Sequence, residues 1–201
     1  MTLVYEYRPE AVYINLTNRC TCRCVFCAKT KGIYTLGQFD LKLDQEPTAE
    51  QVIQDLELFL KETGRPVSTF REFVFCGYGE PTLRSEVMIQ VALYLKSKGA
   101  FRIRLNTNGH LLLLSGQESL DNLASCMDVI SVSLNAADKA TYNRLCSPRF
   151  GSGTFRSIVE FIRRARDLVP EVMVTVVDEG SIDIGRCRAL ANELGVKLRV
   201  R

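Results

Sequence analysis

A single histidine, His110, serves the whole of a 201-residue chain, so a zinc site built on imidazoles lacks its ligands. No apolar run approaches the roughly 20 residues a membrane-spanning helix needs; Leu111 to Leu114 is representative of the longest. The segment from Met1 to Glu10 carries Glu6, Arg8 and Glu10 and lacks the apolar core of a secretory signal, which makes the cytoplasm the expected location and a membrane partner unexpected. No internal repeat, low-complexity tract or Pro/Gly-rich linker divides the sequence. The expectation is one domain over residues 1–201, long enough for a full hydrophobic core. Strong charge of one sign is missing too, the net being only +3. Arginines concentrate after residue 144, but Glu160, Asp167, Glu171 and Asp178 are interleaved with them. That is the pattern of solvated helix faces before it is that of a nucleic-acid surface.

What the chain does have is cysteine. Eight are present, and four of them fall within Cys20–Cys27, too close together for an ordinary disulfide framework and more natural in a reducing compartment. The spacing Cys20-x3-Cys24-x2-Cys27 provides three thiolates where an iron–sulfur cluster normally takes four, which leaves one iron open to another ligand. Cys22 lies inside the motif and competes for a ligand role, although the expectation is that it points away. Cys76, Cys126 and Cys187 read as buried structural thiols. Cys146 stands in Leu145-Cys146-Ser147-Pro148-Arg149-Phe150-Gly151, where a helix ending before Pro148 explains most of the sequence and a substrate contact is the alternative. His110 reads as an exposed loop residue.

Short β-branched runs alternate with amphipathic segments of helical period, as in repeated βα units around a parallel sheet. Strands are expected at Val12–Leu16, Glu72–Cys76, Arg102–Asn106, Val129–Leu134, Glu171–Val177 and Lys197–Arg201. Helices fit between them at Thr48–Glu62, Ser85–Lys98, Glu118–Cys126, Ala137–Cys146, Thr154–Leu168 and Ile182–Leu194. A closed eight-unit barrel takes about 250 residues, so an α/β fold of the open, partial (β/α)6 barrel kind is the natural architecture. The loop Thr30–Glu46 is expected to cover the cysteines. Polar motifs recur at the strand ends, where such folds build their sites: Cys76-Gly77-Tyr78-Gly79-Glu80-Pro81, Asn106-Thr107-Asn108-Gly109 and Ser131-Val132-Ser133-Leu134-Asn135. Ser131, Ser133 and Asn135 alternate along one strand face, which a purely apolar barrel interior would not choose.

The cysteine motif, with Phe26 just before its last cysteine, resembles the signature of the radical S-adenosylmethionine (SAM) enzymes. The resemblance implies a [4Fe-4S] cluster held by Cys20, Cys24 and Cys27, with SAM chelating the open iron and Phe26 against its adenine. The turn at Gly77, Tyr78, Gly79 and Glu80 resembles the family's Gly-Gly-Glu-Pro motif, with Tyr78 in place of the first glycine, and would meet the amino group of SAM. Asn106 or Asn108 would contact its methionine part, and Ser133 and Asn135 its ribose and carboxylate. The implied chemistry is reductive cleavage of SAM to a 5′-deoxyadenosyl radical that takes hydrogen from a substrate. The implied partners are an electron donor such as flavodoxin or ferredoxin and, for a barrel that ends at its sixth strand, a protein partner or second copy. Within the family the motifs look most like small proteins associated with TatD-type nucleases. Glycyl-radical activating enzymes and 7-carboxy-7-deazaguanine synthases are the other compact members. A ferredoxin-like electron carrier, a zinc-binding module and a thioredoxin-like reading of Cys24-x2-Cys27 compete outside it; the single three-cysteine motif and the strand-end motifs argue against the first two, and the third ignores Cys20 and has no βαβ lead-in.

Overall fold

A computed structural model describes residues 2–100 and 102–201. Strand β1 (Val4–Arg8) runs antiparallel to β2 (Ala11–Ile14). The short β3 (Thr35–Leu36) and β4 (Phe39–Asp40) form a hairpin by themselves. The remaining strands, β5 (Glu72–Phe75), β6 (Ile103–Thr107), β7 (Val129–Ser133), β8 (Glu171–Val176) and β9 (Lys197–Val200), continue from β2 in parallel, giving the order β1-β2-β5-β6-β7-β8-β9. The six expected parallel strands are therefore all present. β1 was not expected: its alternation of Tyr5 and Tyr7 with Val4, Glu6 and Arg8 is a strand signal, but its turn passes through Glu10 at φ 61°, where sequence gives no glycine to announce it.

Helices α1 (Ala49–Thr63), α2 (Ser85–Ser97), α4 (Glu118–Ala124), α5 (Lys139–Cys146), α6 (Thr154–Leu168) and α7 (Ile184–Glu193) fall where the periodicity puts them. The short α3 (Leu111–Ser115) is additional. The ends are chemically marked. Thr48 and Gln51 close a reciprocal capping box on α1, and Asp138 and Asp183 cap α5 and α7. No helix among the described residues is long and apolar enough to cross a membrane.

The two faces of the parallel sheet differ. Phe73, Phe75, Ile103, Leu105, Ile130 and Val132 are fully buried in the main core with the helices. The other face bends into a trough, so that Tyr13 of β2 and Arg199 of β9 border one cavity although their strands stand near opposite edges of the sheet. The result is an open partial barrel. The Thr30–Glu46 loop does not cover the cysteines as expected. Its Leu36, Phe39 and Leu41 pack instead with Tyr5, Tyr13 and Val74 on the trough side of the sheet, because burying those three apolar side chains is the stronger demand.

Candidate active site

The carboxyl ends of the parallel strands open on a cavity of about 320 Å³. Cys20, Cys24, Phe26 and Cys27 come to it from the loop after β2; Gly77, Tyr78, Gly79 and Glu80 from the turn after β5. Asn106 and Asn108 arrive from the end of β6, and Ser133 and Asn135 from the end of β7. Each residue that the resemblance assigns to the cluster or to SAM thus borders one cavity, although the outermost of them lie more than a hundred positions apart.

The cysteine loop is held as an extended segment. Arg23 and Val25 donate backbone N–H groups to the carbonyls of Cys146 and Leu145 (2.9 Å each), Arg149 donates to Thr21 O (2.8 Å), and Cys22 pairs with Pro148. The Leu145–Arg149 stretch is therefore a backbone template for the cysteines. At the loop's base the Asn18 side chain brackets Leu43, donating to its carbonyl at 2.6 Å and accepting its N–H at 3.1 Å. Cys20, Cys24 and Cys27 are half-buried. The Cys20 thiol, hydrogen-bonded with Cys22 and buried, is pushed up beyond the usual thiol range, and that of Cys24, hydrogen-bonded with Cys146, likewise. Cationic iron is the kind of neighbour that holds such groups as thiolates. Among the described residues no three His, Cys, Asp or Glu side chains converge on one ion-sized centre, whereas a cubane takes its thiolates at separate corners.

Cys22 does not simply point away. Its thiol borders the cavity but is engaged by Tyr142 Oη at 3.5 Å, His110 Nε2 at 3.8 Å and Asn108 Nδ2 at 3.8 Å. His110 is not the exposed loop residue its position implies. It is fully buried, with Nδ1 2.7 Å from Thr21 Oγ1 and Nε2 2.9 Å from Tyr142 Oη. Its partners are 89 and 32 residues away in sequence, which is why no local signal shows the burial. Burial pushes its pKa down to about 4, so the folded protein holds the neutral imidazole. The unfolded chain takes up a proton near pH 6.5, so stability is complete above that value and is lost as pH falls toward 4. The expected loss is about 3 kcal/mol by pH 4. Urea unfolding of the apoprotein at pH 7 and pH 4, compared with His110→Gln, measures it; an equal pH dependence in both proteins would contradict this account.

Glu80 is buried and its carboxylate is already well supplied. Oε1 accepts from Thr82 N (3.1 Å), Thr82 Oγ1 (2.8 Å) and Thr107 Oγ1 (2.7 Å), and Oε2 from Asn108 N (2.7 Å). Burial pushes its pKa up, against those four bonds. Glu80 thereby ties the glycine turn to the end of β6 as well as bordering the cavity. The two glycines are explained by the protein's own chain. A Cβ on Gly77 would lie 2.1 Å from Asn15 Oδ1, and one on Gly79 2.1 Å from Thr17 O and 2.7 Å from Arg19 O. Close backbone approach is required, but between the two loops.

Two observations bear on what the cavity accepts. Asn106 and Asn135 border the cavity, and their side-chain oxygens are buried with no hydrogen-bond partner. Asn135 is held there at φ 58° with its amide donating to Cys146 Sγ at 3.6 Å. Buried acceptors left unpaired cost about 1–3 kcal/mol each, so the wall is built for a ligand that donates hydrogen bonds, as an ammonium and ribose hydroxyls do. The donor set therefore fits a [4Fe-4S] cluster with SAM. Sequence reasoning missed Thr107, Tyr142 and Arg201 on this wall, and took Cys76 for a buried thiol. Cys76 is half-buried and borders the cavity. Only Thr107 lay within a motif where it could have been found.

An open parallel barrel with three cysteines and two asparagine acceptors at its carboxyl ends is the architecture of a cluster-dependent, SAM-binding enzyme. The profile of the Radical SAM superfamily matches residues 14–181, and the chain belongs to that superfamily, whose cofactors are a [4Fe-4S] cluster and SAM. It is 25% identical over 181 residues to a GTP 3',8-cyclase of Peptoclostridium acidaminophilum, covering 89% of this chain and 50% of that protein. It is 26% identical over 104 residues to a protein of Methanocaldococcus jannaschii named as a glycyl-radical enzyme activating enzyme, covering 52% of this chain and 36% of the other. The chain thus spans half or less of the length of these relatives. Among solved structures, Streptococcus suis SuiB bound to S-adenosylmethionine superposes with a TM-score of 0.65 at 15% identity, covering 94% of this chain and 39% of that one, a likeness of fold.

Proposed function

We propose that residues 1–201 form one radical SAM domain in which Cys20, Cys24 and Cys27 hold the cluster and Phe26, the Gly77–Glu80 turn, Asn106, Asn108, Ser133 and Asn135 hold SAM. Cluster and SAM together supply one-electron cleavage of the sulfonium, yielding methionine and a 5′-deoxyadenosyl radical that abstracts hydrogen from substrate. The chain's own residues bind and orient. Asn106 and Asn135 accept hydrogen bonds, Glu80 places a carboxylate beside the ammonium while fixing the turn, and the buried Thr21–His110–Tyr142 network holds the cysteine loop against α5. Asn108 donates to Thr21 Oγ1 at 2.8 Å and so serves that network too.

The observation that carries this reading is the pair of unpartnered asparagine oxygens on the cysteine-lined wall. Asn135→Ala is expected to weaken SAM binding roughly tenfold, the effect of losing one good hydrogen bond, with the iron content of the reconstituted protein unchanged. Unchanged SAM affinity would remove Asn135 from the site. The motifs support a place near the TatD nuclease-associated members, the closely spaced cysteines fit a reducing, cytoplasmic location, and the electron the reaction consumes fits a flavodoxin or ferredoxin as donor. Co-purification of a TatD-type nuclease with the tagged full chain is the direct check of the first.

A further inference from the structure

Strands of a parallel barrel normally fill their interior with branched apolar side chains. Here the inward face of β6 to β9 carries Arg104, Asn106, Ser131, Thr175, Arg199 and Arg201, all bordering a second cavity of about 310 Å³. Tyr7, Tyr13 and Arg8 face them from β1 and β2. This cavity adjoins the first: Cys76, Gly77, Tyr78, Asn106 and Arg201 belong to both.

Charge within it is unbalanced. Arg104 is paired with Glu72 at 3.0 Å, its side chain only 12% exposed, and its Nε is buried with no partner. Arg201 donates to the hydroxyls of Thr175 at 3.1 Å and Ser133 at 3.4 Å. Arg8 and Arg199 are exposed at the mouth, and no carboxylate among the described residues lies within ion-pair distance of either. Some arginines on the outer helices are paired, Arg163 with Glu193, Arg164 with Glu160 and Arg186 with Asp138, while Arg156 and Arg188 have no carboxylate partner among the described residues. The trough thus holds Arg8, Arg199 and Arg201 without a carboxylate partner among the described residues.

We propose that this trough binds the substrate, a phosphorylated small molecule, with its phosphoryl oxygens on Arg8, Arg104 and Arg199 and its remainder against Tyr7 and Tyr13, reaching the adjoining SAM site. Guanidinium forks match phosphoryl oxygens in bidentate fashion; those of Arg8 and Arg199 have no carboxylate partner among the described residues, and Glu72 leaves the Nε of Arg104 unpartnered. That the bound molecule is a substrate rests on the radical SAM reading; that the trough binds phosphoryl groups does not.

The two are separated by measuring pyrophosphate binding to the full chain by calorimetry, without cluster or SAM, beside SAM cleavage by the reconstituted wild type. Pyrophosphate is expected to bind wild type and to bind Arg8→Gln/Arg199→Gln at least tenfold more weakly, with circular dichroism reporting a folded variant. The control Arg163→Gln/Arg164→Gln, on the outer face of α6, is expected to retain binding. Equal loss in the control, no pyrophosphate binding by wild type, or tighter binding of citrate than of pyrophosphate would each overturn the proposal. Pyrophosphate binding in a wild type that never cleaves SAM would leave the phosphoryl site standing and overturn its role as a substrate site.

Discussion

Cys24→Ala protein is expected to emerge from anaerobic reconstitution with iron and sulfide colourless, without the visible absorbance of a cluster and with iron near background. Cys20→Ala and Cys27→Ala are expected to behave alike, since two thiolates are too few to keep a cubane that ordinarily takes four. Cys22→Ala is the informative contrast. Its thiol already has Tyr142, His110 and Asn108 around it, and within the motif the half-buried cysteines are the other three. It is expected to keep the cluster and to lose about 1 kcal/mol of stability, the small cost of removing a buried thiol from a polar network. A colourless Cys22→Ala protein with a brown Cys27→Ala protein would move the ligand assignment to Cys20, Cys22 and Cys24.

Gly79→Ala is expected to be the most damaging substitution outside the cysteines. The added methyl would stand 2.1 Å from one backbone carbonyl and 2.7 Å from another, and neither can swing aside as a side chain does. The two loops would have to part, breaking the 2.7 Å bond from Glu80 N to Arg19 O, next to Cys20. Overpacking of this kind costs about 1–3 kcal/mol, and the broken loop contact places the expected loss at the top of that range, with cluster retention impaired as well. Gly153→Ala is the matched control. It sits at φ −82° with open space around its Cβ position, so it is expected to be neutral or slightly stabilising. Denaturant midpoints of the two variants read the difference directly; equal midpoints would show that the loops are not packed as described.

Much of this was legible in the chain because its signals are local. Thr48, Gln51 and Gly64 mark the ends of α1, period-2 runs mark the parallel strands, and the strand-end motifs fall on one wall because parallel strands share one end. The failures share a physical cause, dependence on partners distant in sequence. His110 looks exposed until Thr21 and Tyr142 close on it. Gly79 borders the cavity as its motif implies, but the need for glycine there comes from Thr17 and Arg19, whose carbonyls fold back against it. Arg199 and Arg201 look like part of the interleaved arginine excess until the sheet's curvature turns them into the trough with Tyr13. The β1 hairpin was missed for a different reason, since its turn uses Glu10 where glycine or asparagine would have been read.

In the proposed function this cavity cleaves SAM. The direct measurement is to reconstitute the full chain anaerobically, reduce it, add SAM and assay 5′-deoxyadenosine by mass spectrometry, with Cys24→Ala in parallel. The account expects 5′-deoxyadenosine from wild type alone and only with reductant. A wild type that carries a full cluster and binds SAM, yet yields none when reduced in the presence of a phosphorylated substrate pool, would contradict it.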